Sequence, residues 1–266
     1  MNRAVTVIYN YCVIAIVLLG VSNITHAQTK PISLAGNKVA SLIDGPESPA
    51  LAIDIVKAVF KSQDVTVQAT TQAWLGSGLR SGKYIGFIDH YSLNEPKNGY
   101  VYSKPYLQLN LHIAGREANV VNITRLDKIY RQRLGVENRF ANTDMLRTER
   151  SVSWARSPSF ISNIQQLAEQ RVRYIIADKY MLDEFNKLLI ANGEAPLYLS
   201  SAPIYSPSLS VALKADADNA NTLIKQFDAN LSAMKESGEY SKLVSLASEQ
   251  PSVLDEALYA EIIRKW

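Results

Sequence analysis

The chain has 266 residues, 47% of them hydrophobic and 20% charged, which is an ordinary globular composition and excludes a disordered or fibrous chain. The length suits one large domain or two lobes, and a net charge of +3 gives no argument for nucleic acid as a partner. Arg3 is the only charged residue among residues 1–27, so their removal would leave +2. The single cysteine, Cys12, lies in that same segment, so the rest of the chain has neither a disulfide nor a thiol.

Met1 to Gln28 reads as a secretory signal: Arg3 is the positive start, Val13 to Val21 the apolar run, and Thr25-His26-Ala27 a small-residue cleavage pattern. Cleavage after Ala27 and a periplasmic location are the expectation; an N-terminal membrane anchor is the alternative. The apolar run falls short of the roughly 20 residues a span requires.

Beyond a polar lead-in, Val39 to Ile43 reads as a first strand, and Ser48-Pro49 as a helix start, cap followed by first-turn proline. Ala52, Ile55, Val56, Val59 and Phe60 recur at helical spacing. Val65, Val67 and Ala69 alternate as a strand, Trp74 to Leu79 forms a short helix, and Tyr84 to Ile88 a short buried strand after Gly82. Strand, helix, strand, helix, strand is the alternation of a parallel sheet with helices on its faces. Asp89, His90, Tyr91, Ser92 and Asn94 follow the third strand, at the carboxyl edge where open α/β sheets place ligands.

A turn at Glu95 to Gly99 leads into Ser103-Lys104-Pro105-Tyr106 and an extended run, Leu107, Leu109, Leu111, Ile113. A basic helix over Lys128 to Arg133 precedes the strand Leu134 to Glu137. Arg139 sits in the polar turn after that strand, where Asn142 or Thr143 would cap a helix. Val152 to Trp154 is a strand, Ser157-Pro158 a second cap-plus-proline start, and Val172 to Lys179 a buried strand ending at Asp178. A helix over Tyr180 to Ala191, a return segment from Leu197 to Tyr205, a strand at Ser208 to Leu213 and an amphipathic helix through Leu223, Phe227, Leu231 and Met234 complete the pattern. The final stripe, Leu254, Leu258 and Ile262, is expected to pack on the first lobe.

Four segments share one pattern. SGKYIGFIDHYSLNEPKNGYVYSKPY, RQRLGVE, VRYIIADK and SGEYSKL stand in the order and spacing of the family 3 extracellular solute-binding proteins, the periplasmic receptors of polar amino-acid uptake systems, and the chain resembles that family. The resemblance implies an α/β fold of the two-lobed periplasmic-binding-protein kind (type II), each lobe a mostly parallel sheet with flanking helices. Two extended crossings would join the lobes, the first formed by residues 31–108 and 206–266, the second by 109–205.

The resemblance also implies a cleft between the lobes that captures a small polar solute, amino-acid-like or anionic, for an inner-membrane ABC permease. Asp178 matches the aspartate that holds the ligand's ammonium, although a helix N-cap explains it too. The position of the carboxylate-binding arginine falls on Pro96 or Lys97, and lysine is a point charge without the bidentate fork. Asn142 and Thr143 match the strand-to-helix turn that grips the ligand. Ser92 and Asp89 are first-lobe candidates, and Trp74 stands at the family's tryptophan position, with a core aromatic as the other reading. Arg139 and Arg156 would suit an anionic ligand.

No catalytic constellation, metal site or cofactor motif stands out: His90 and His112 are the only histidines beyond residue 28. Alternatives to transport are a periplasmic enzyme of the dehydratase kind on the same fold, with Glu47, Asp89 and Asp178 as acid–base groups, and a signalling or degenerate homologue.

Overall fold

A computed structural model describes residues 31–38, 50–61, 63–249, 254 and 256–266. The signal segment, the strand expected at Val39 to Ile43 and the helix start at Ser48-Pro49 lie outside the described residues. Among the described residues no helix is long and apolar enough to cross a membrane.

The first strand is not a polar lead-in but β1 (Ile32–Asn37), whose Ile32, Leu34 and Ala35 are buried. It lies between β2 (Val65–Thr70) and β3 (Gly86–Tyr91), parallel to both. Helix α1 (Leu51–Val59) links β1 to β2 and buries Leu51, Ala52, Ile55, Val56 and Val59; α2 (Gln72–Arg80) links β2 to β3. The chain then turns back through β4 (Tyr100–Tyr102) and β5 (Leu107–Gln108). Both pair antiparallel with β11 (Ser208–Lys214), which closes the first sheet against β3.

The second sheet has the order β10-β6-β9-β7-β8. Its parallel centre is β7 (Arg133–Glu137), β8 (Ser153–Ser157) and β9 (Tyr174–Asp178), with β6 (Leu111–Gly115) and β10 (Tyr198–Leu199) antiparallel at one side. A mostly parallel sheet is buried on both faces, and YIIAD of β9 shows it, all five residues being buried. Helices α3 (Asn138–Ala141), α4 (Asp144–Thr148), α5 (Phe160–Ala168) and α6 (Lys179–Ala191) follow the strands; α7 (Ala220–Glu236) and α8 (Glu239–Glu249) follow β11.

Two crossings join the sheets, and they are hydrogen-bonded to each other. Leu111 donates its amide to the Tyr205 carbonyl (2.8 Å), Ile204 donates to Leu111 (2.8 Å) and Leu109 donates to Pro207 (2.8 Å). The joint is therefore a short two-stranded ribbon.

Three local expectations are corrected. The basic helix at Lys128 to Arg133 is a single 3-10 turn, Leu126–Ile129, and Arg131, two residues beyond it, has φ 60°. Ser157 is the buried last residue of β8, its hydroxyl donating to the Val136 carbonyl, and Ser159 caps α5 by accepting the Ser162 amide. Pro158 thus precedes the cap. The C-terminal helix α9 (Glu256–Ile263) packs on the second lobe, not the first. Leu254, Tyr259, Ile262 and Ile263 join Phe160, Phe185 and Leu188 in one buried cluster, and Leu258, assigned to the stripe, is exposed.

Candidate functional site

β3, β7 and β9 end at the junction between the lobes; Glu137 and Asp178 are the last residues of β7 and β9, and Asp89 lies two places before the end of β3. Period-two alternation decides which ones point inward. On β3, Asp89 and Tyr91 share a face and are buried, while Ser92 beyond the strand is exposed. On β9, Asp178 is the last residue, 1% exposed. On β7, Glu137 is last, 3% exposed, and α3 begins at once with Asn138 and Arg139.

Arg139 joins these ends. Its Nε and Nη2 donate to the two carboxylate oxygens of Glu137 (3.1 and 3.0 Å), and its Nη1 donates to the Tyr91 hydroxyl (3.2 Å). The guanidinium also lies 4.1 Å from the Phe140 ring centre, and Phe140 meets Tyr91 edge-on with centroids 5.6 Å apart. Burial disfavours the cation, but Glu137 and Tyr91 more than offset this and raise its pKa. Burial pushes the Tyr91 phenol up to about 12, so it remains a neutral hydroxyl.

The two aspartates differ from Glu137, because neither receives a guanidinium bond. Asp89 Oδ2 accepts the backbone N–H and the side-chain amide of Asn37 (3.1 and 2.7 Å). Asp178 Oδ1 accepts the Asn110 backbone N–H (3.1 Å). The second oxygen of each, Asp89 Oδ1 and Asp178 Oδ2, is buried and has no hydrogen-bond partner among the described residues. Desolvation raises both carboxyls, Asp178 to about 6, with Arg139 acting in the opposite direction on each. Asp178 holds the N-cap position of α6; its side chain makes no cap hydrogen bond of ordinary geometry, although the Tyr180 backbone N–H faces it and acts to lower its pKa.

Backbone contacts tie the lobes together beside this cluster. Met145 donates its amide to the Leu93 carbonyl (3.2 Å), and Glu95 donates to Asp144 Oδ2 (3.0 Å).

Of the residues singled out from the sequence, Asp89, Arg139 and Asp178 come together and the others do not. Ser92 Oγ accepts the Ser208 amide (2.9 Å), stitching β3 to β11. Lys97 is on the exposed β3–β4 turn, where its amide donates to the Tyr102 hydroxyl. Its charge is felt there by His90, whose pKa is lowered mainly by burial and then by Lys97. Thr143 is buried, but its hydroxyl donates to the Phe140 carbonyl (2.6 Å) and caps nothing. Asn142 is exposed and accepts from Arg156 (2.7 Å), so Arg156 also lies outside the cluster.

Trp74 is 72% exposed on α2, where it lines a separate depression of about 380 Å³ with Gln68, Lys83 and Tyr84. The core-aromatic reading of Trp74 is likewise not met. Glu47 lies outside the described residues. Glu137, Asn37 and Asn110 belong to the site and were not picked out from the sequence, while Tyr91 was named only among the residues at the carboxyl edge of the third strand; the one available signal for Glu137 was its place two residues before Arg139.

No family model matches the chain, and no curated protein matches it. Solved structures do. The chain is similar to the GluR0 ligand-binding core in complex with L-glutamate, at TM-score 0.67 and 10% identity over 83% of this chain and 99% of that one. It is similar to the amino acid ABC transporter substrate-binding protein AbpA from Streptococcus pneumoniae bound to L-arginine, at TM-score 0.62 and 15% identity over 85% and 96%. It is also similar to an arginine transport-system periplasmic binding protein from Legionella pneumophila, at TM-score 0.60 and 17% identity over 82% and 99%. At such identities the likeness speaks for the fold, which is the two-lobed periplasmic-binding-protein fold.

Proposed function

We propose that the protein is an exported solute-binding protein that closes its two lobes around a small polar solute and presents it to an ABC-type permease of the inner membrane. One observation carries the reading: buried charged groups from both lobes converge at the carboxyl ends of β3, β7 and β9. Buried charges are costly unless paired, and a cluster of them at a lobe junction is what a polar ligand would compensate.

In this reading residues 31–108 and 206–249 form one lobe, and 109–205 with α9 the other. Asp178 receives an amine of the solute, and cleavage after Ala27 releases the chain into the periplasm. The proteins of similar fold named above, bound to L-glutamate and L-arginine, support an amine-bearing solute.

A thermal-shift screen against amino acids, amines and dicarboxylates tests it. A saturable rise in melting temperature with one solute class is expected, and no stabilisation by any class would count against solute capture.

A second reading, a periplasmic enzyme, is favoured by one feature. Asp178, raised to about 6, is suited to proton transfer near neutral pH. A solved structure of similar fold is an ancestral amino-acid-binding protein described as a precursor of cyclohexadienyl dehydratase. Conversion of a bound solute, followed by mass spectrometry, would select this reading; recovery of the solute unchanged would select capture.

A further inference from the structure

Among the described residues the junction is unbalanced in charge. Asp89, Glu137 and Asp178 are three buried carboxyls set against one guanidinium, Arg139, which leaves two negative charges when all are ionised. Arg139 is not free to balance the remainder. Three of its N–H groups are committed to Glu137 and Tyr91, and Glu137 takes it bidentately. An incoming carboxylate would have to displace Glu137 and then sit among the other acids.

At the junction, the two carboxyl oxygens without a hydrogen-bond partner among the described residues belong to opposite lobes: Asp89 Oδ1 near the end of β3 and Asp178 Oδ2 at the end of β9. Arg139 bonds Tyr91, two residues after Asp89 on β3, and Glu137, the last residue of β7, whose Val136 pairs with Ile176 two residues before Asp178 on β9; its charge acts on both aspartates. A buried acceptor left without a donor keeps its desolvation cost uncompensated, the more so when charged. Closing the lobes on these two oxygens is unfavourable until something donates to both.

We propose, building on the solute-capture reading, that the ligand is a small dication without a carboxylate, a diamine or amino-guanidine, with one cationic group on Asp89 and the other on Asp178. Arg139 is then a structural cation that holds Glu137 and Tyr91 and leaves the ligand to neutralise the aspartates. Because the two carboxylates come from different lobes, only a ligand long enough to reach both rewards closure. The burial that raises both aspartates agrees with this, since N–H groups donated by a ligand would favour the ionised pair.

The test is calorimetric titration of the purified protein at pH 7.5 with 1,4-diaminobutane and 4-aminobutylguanidine, and with 1-aminobutane, L-glutamate and succinate. At least one of the two dications should bind saturably, 1-aminobutane at least tenfold more weakly, and the two acids not at all. Asp89→Asn and Asp178→Asn should each lower dication affinity at least a hundredfold. Binding of L-glutamate or succinate in place of the dications overturns the inference and leaves solute capture standing. Absence of binding by all five, together with a blank solute screen, overturns both. Unchanged dication affinity in a folded Asp89→Asn variant overturns the two-lobe bridge. Should the variants not fold, equal affinities for 1-aminobutane and 1,4-diaminobutane in the unaltered protein overturn it instead.

Discussion

The Arg139 guanidinium of the second lobe donates to the Tyr91 hydroxyl of the first across 3.2 Å. That bond, flanked by the Tyr91–Phe140 ring contact, holds the lobes together at the point where the charged strand ends meet. Arg139 is oriented for it by Glu137, two residues earlier, so β7 and α3 act as one rigid corner.

Removing the cation should therefore cost more than one hydrogen bond. Arg139→Ala leaves Glu137 buried without its partner, and breaking a buried pair costs about 3–5 kcal/mol. Tyr91→Phe removes a single bond to a charged group, about 1.5–3 kcal/mol. The double variant Glu137→Gln with Arg139→Met should recover most of the first loss, since no charge is then stranded. Urea unfolding of the four proteins checks this, and an Arg139→Ala variant within 1 kcal/mol of the parent would contradict it.

Asp178 makes stability depend on pH in an unusual direction for an aspartate. Its folded pKa, about 6, lies above the ordinary value of 3.8, so the folded state holds the proton more tightly than the unfolded one. Its contribution is present at low pH and lost as pH rises through 6. The groups facing it are Arg139, Glu137 and Tyr180. Between pH 7.5 and 5 the parent should gain about 1.4 kcal/mol relative to Asp178→Asn. Parallel pH profiles for the two proteins in chemical denaturation would refute the assignment.

Ligand binding should show the mirror image. If an amine binds ionised Asp178, protonation competes with it, and affinity should be about tenfold weaker at pH 5 than at pH 7. Asp89, facing Arg139, Tyr91 and Tyr106, is also raised by burial and acts in the same sense. Titration at the two pH values measures it; a pH-independent affinity would be inconsistent with a carboxylate contact.

Gly86 is fixed by packing. A Cβ there would lie 2.1 Å from the Ala212 carbonyl oxygen of β11, beside the register shift between Ser210 and Ala212. Gly86→Ala must push two backbones apart where β3 leads to Asp89 and Tyr91. We expect a loss of about 2 kcal/mol or more, seen as a lower thermal midpoint; an unchanged midpoint would mean that β11 yields freely.

The fold was legible where apolar runs end in charge. YIIAD and RLGVE gave β9 and β7 with their terminal acids, and the alternation of elements gave the parallel order. Side-chain direction was less legible. Ser92 and Lys97 follow the same strand as Asp89, but parity and turn geometry send them to β11 and to Tyr102. Thr143 and Asn142 carry capping side chains that the local backbone uses otherwise.

Glu137 looked like one more strand residue because its importance depends on Arg139 folding back over it, and Tyr91 because its partner comes from another lobe. The C-terminal stripe was visible, but spacing cannot say which lobe receives it. Phe185, 5.6 Å from the Tyr259 ring and 5.3 Å from that of Trp266, supplies the answer.

Calorimetric titration of the parent and Asp178→Asn with the solute that gives the largest thermal shift tests the central claim most directly. Stranding a buried ligand cation costs about 3–5 kcal/mol, so the variant should bind roughly 100- to 1000-fold more weakly or beyond. Equal affinity in the two proteins would contradict a solute held at the lobe junction by Asp178.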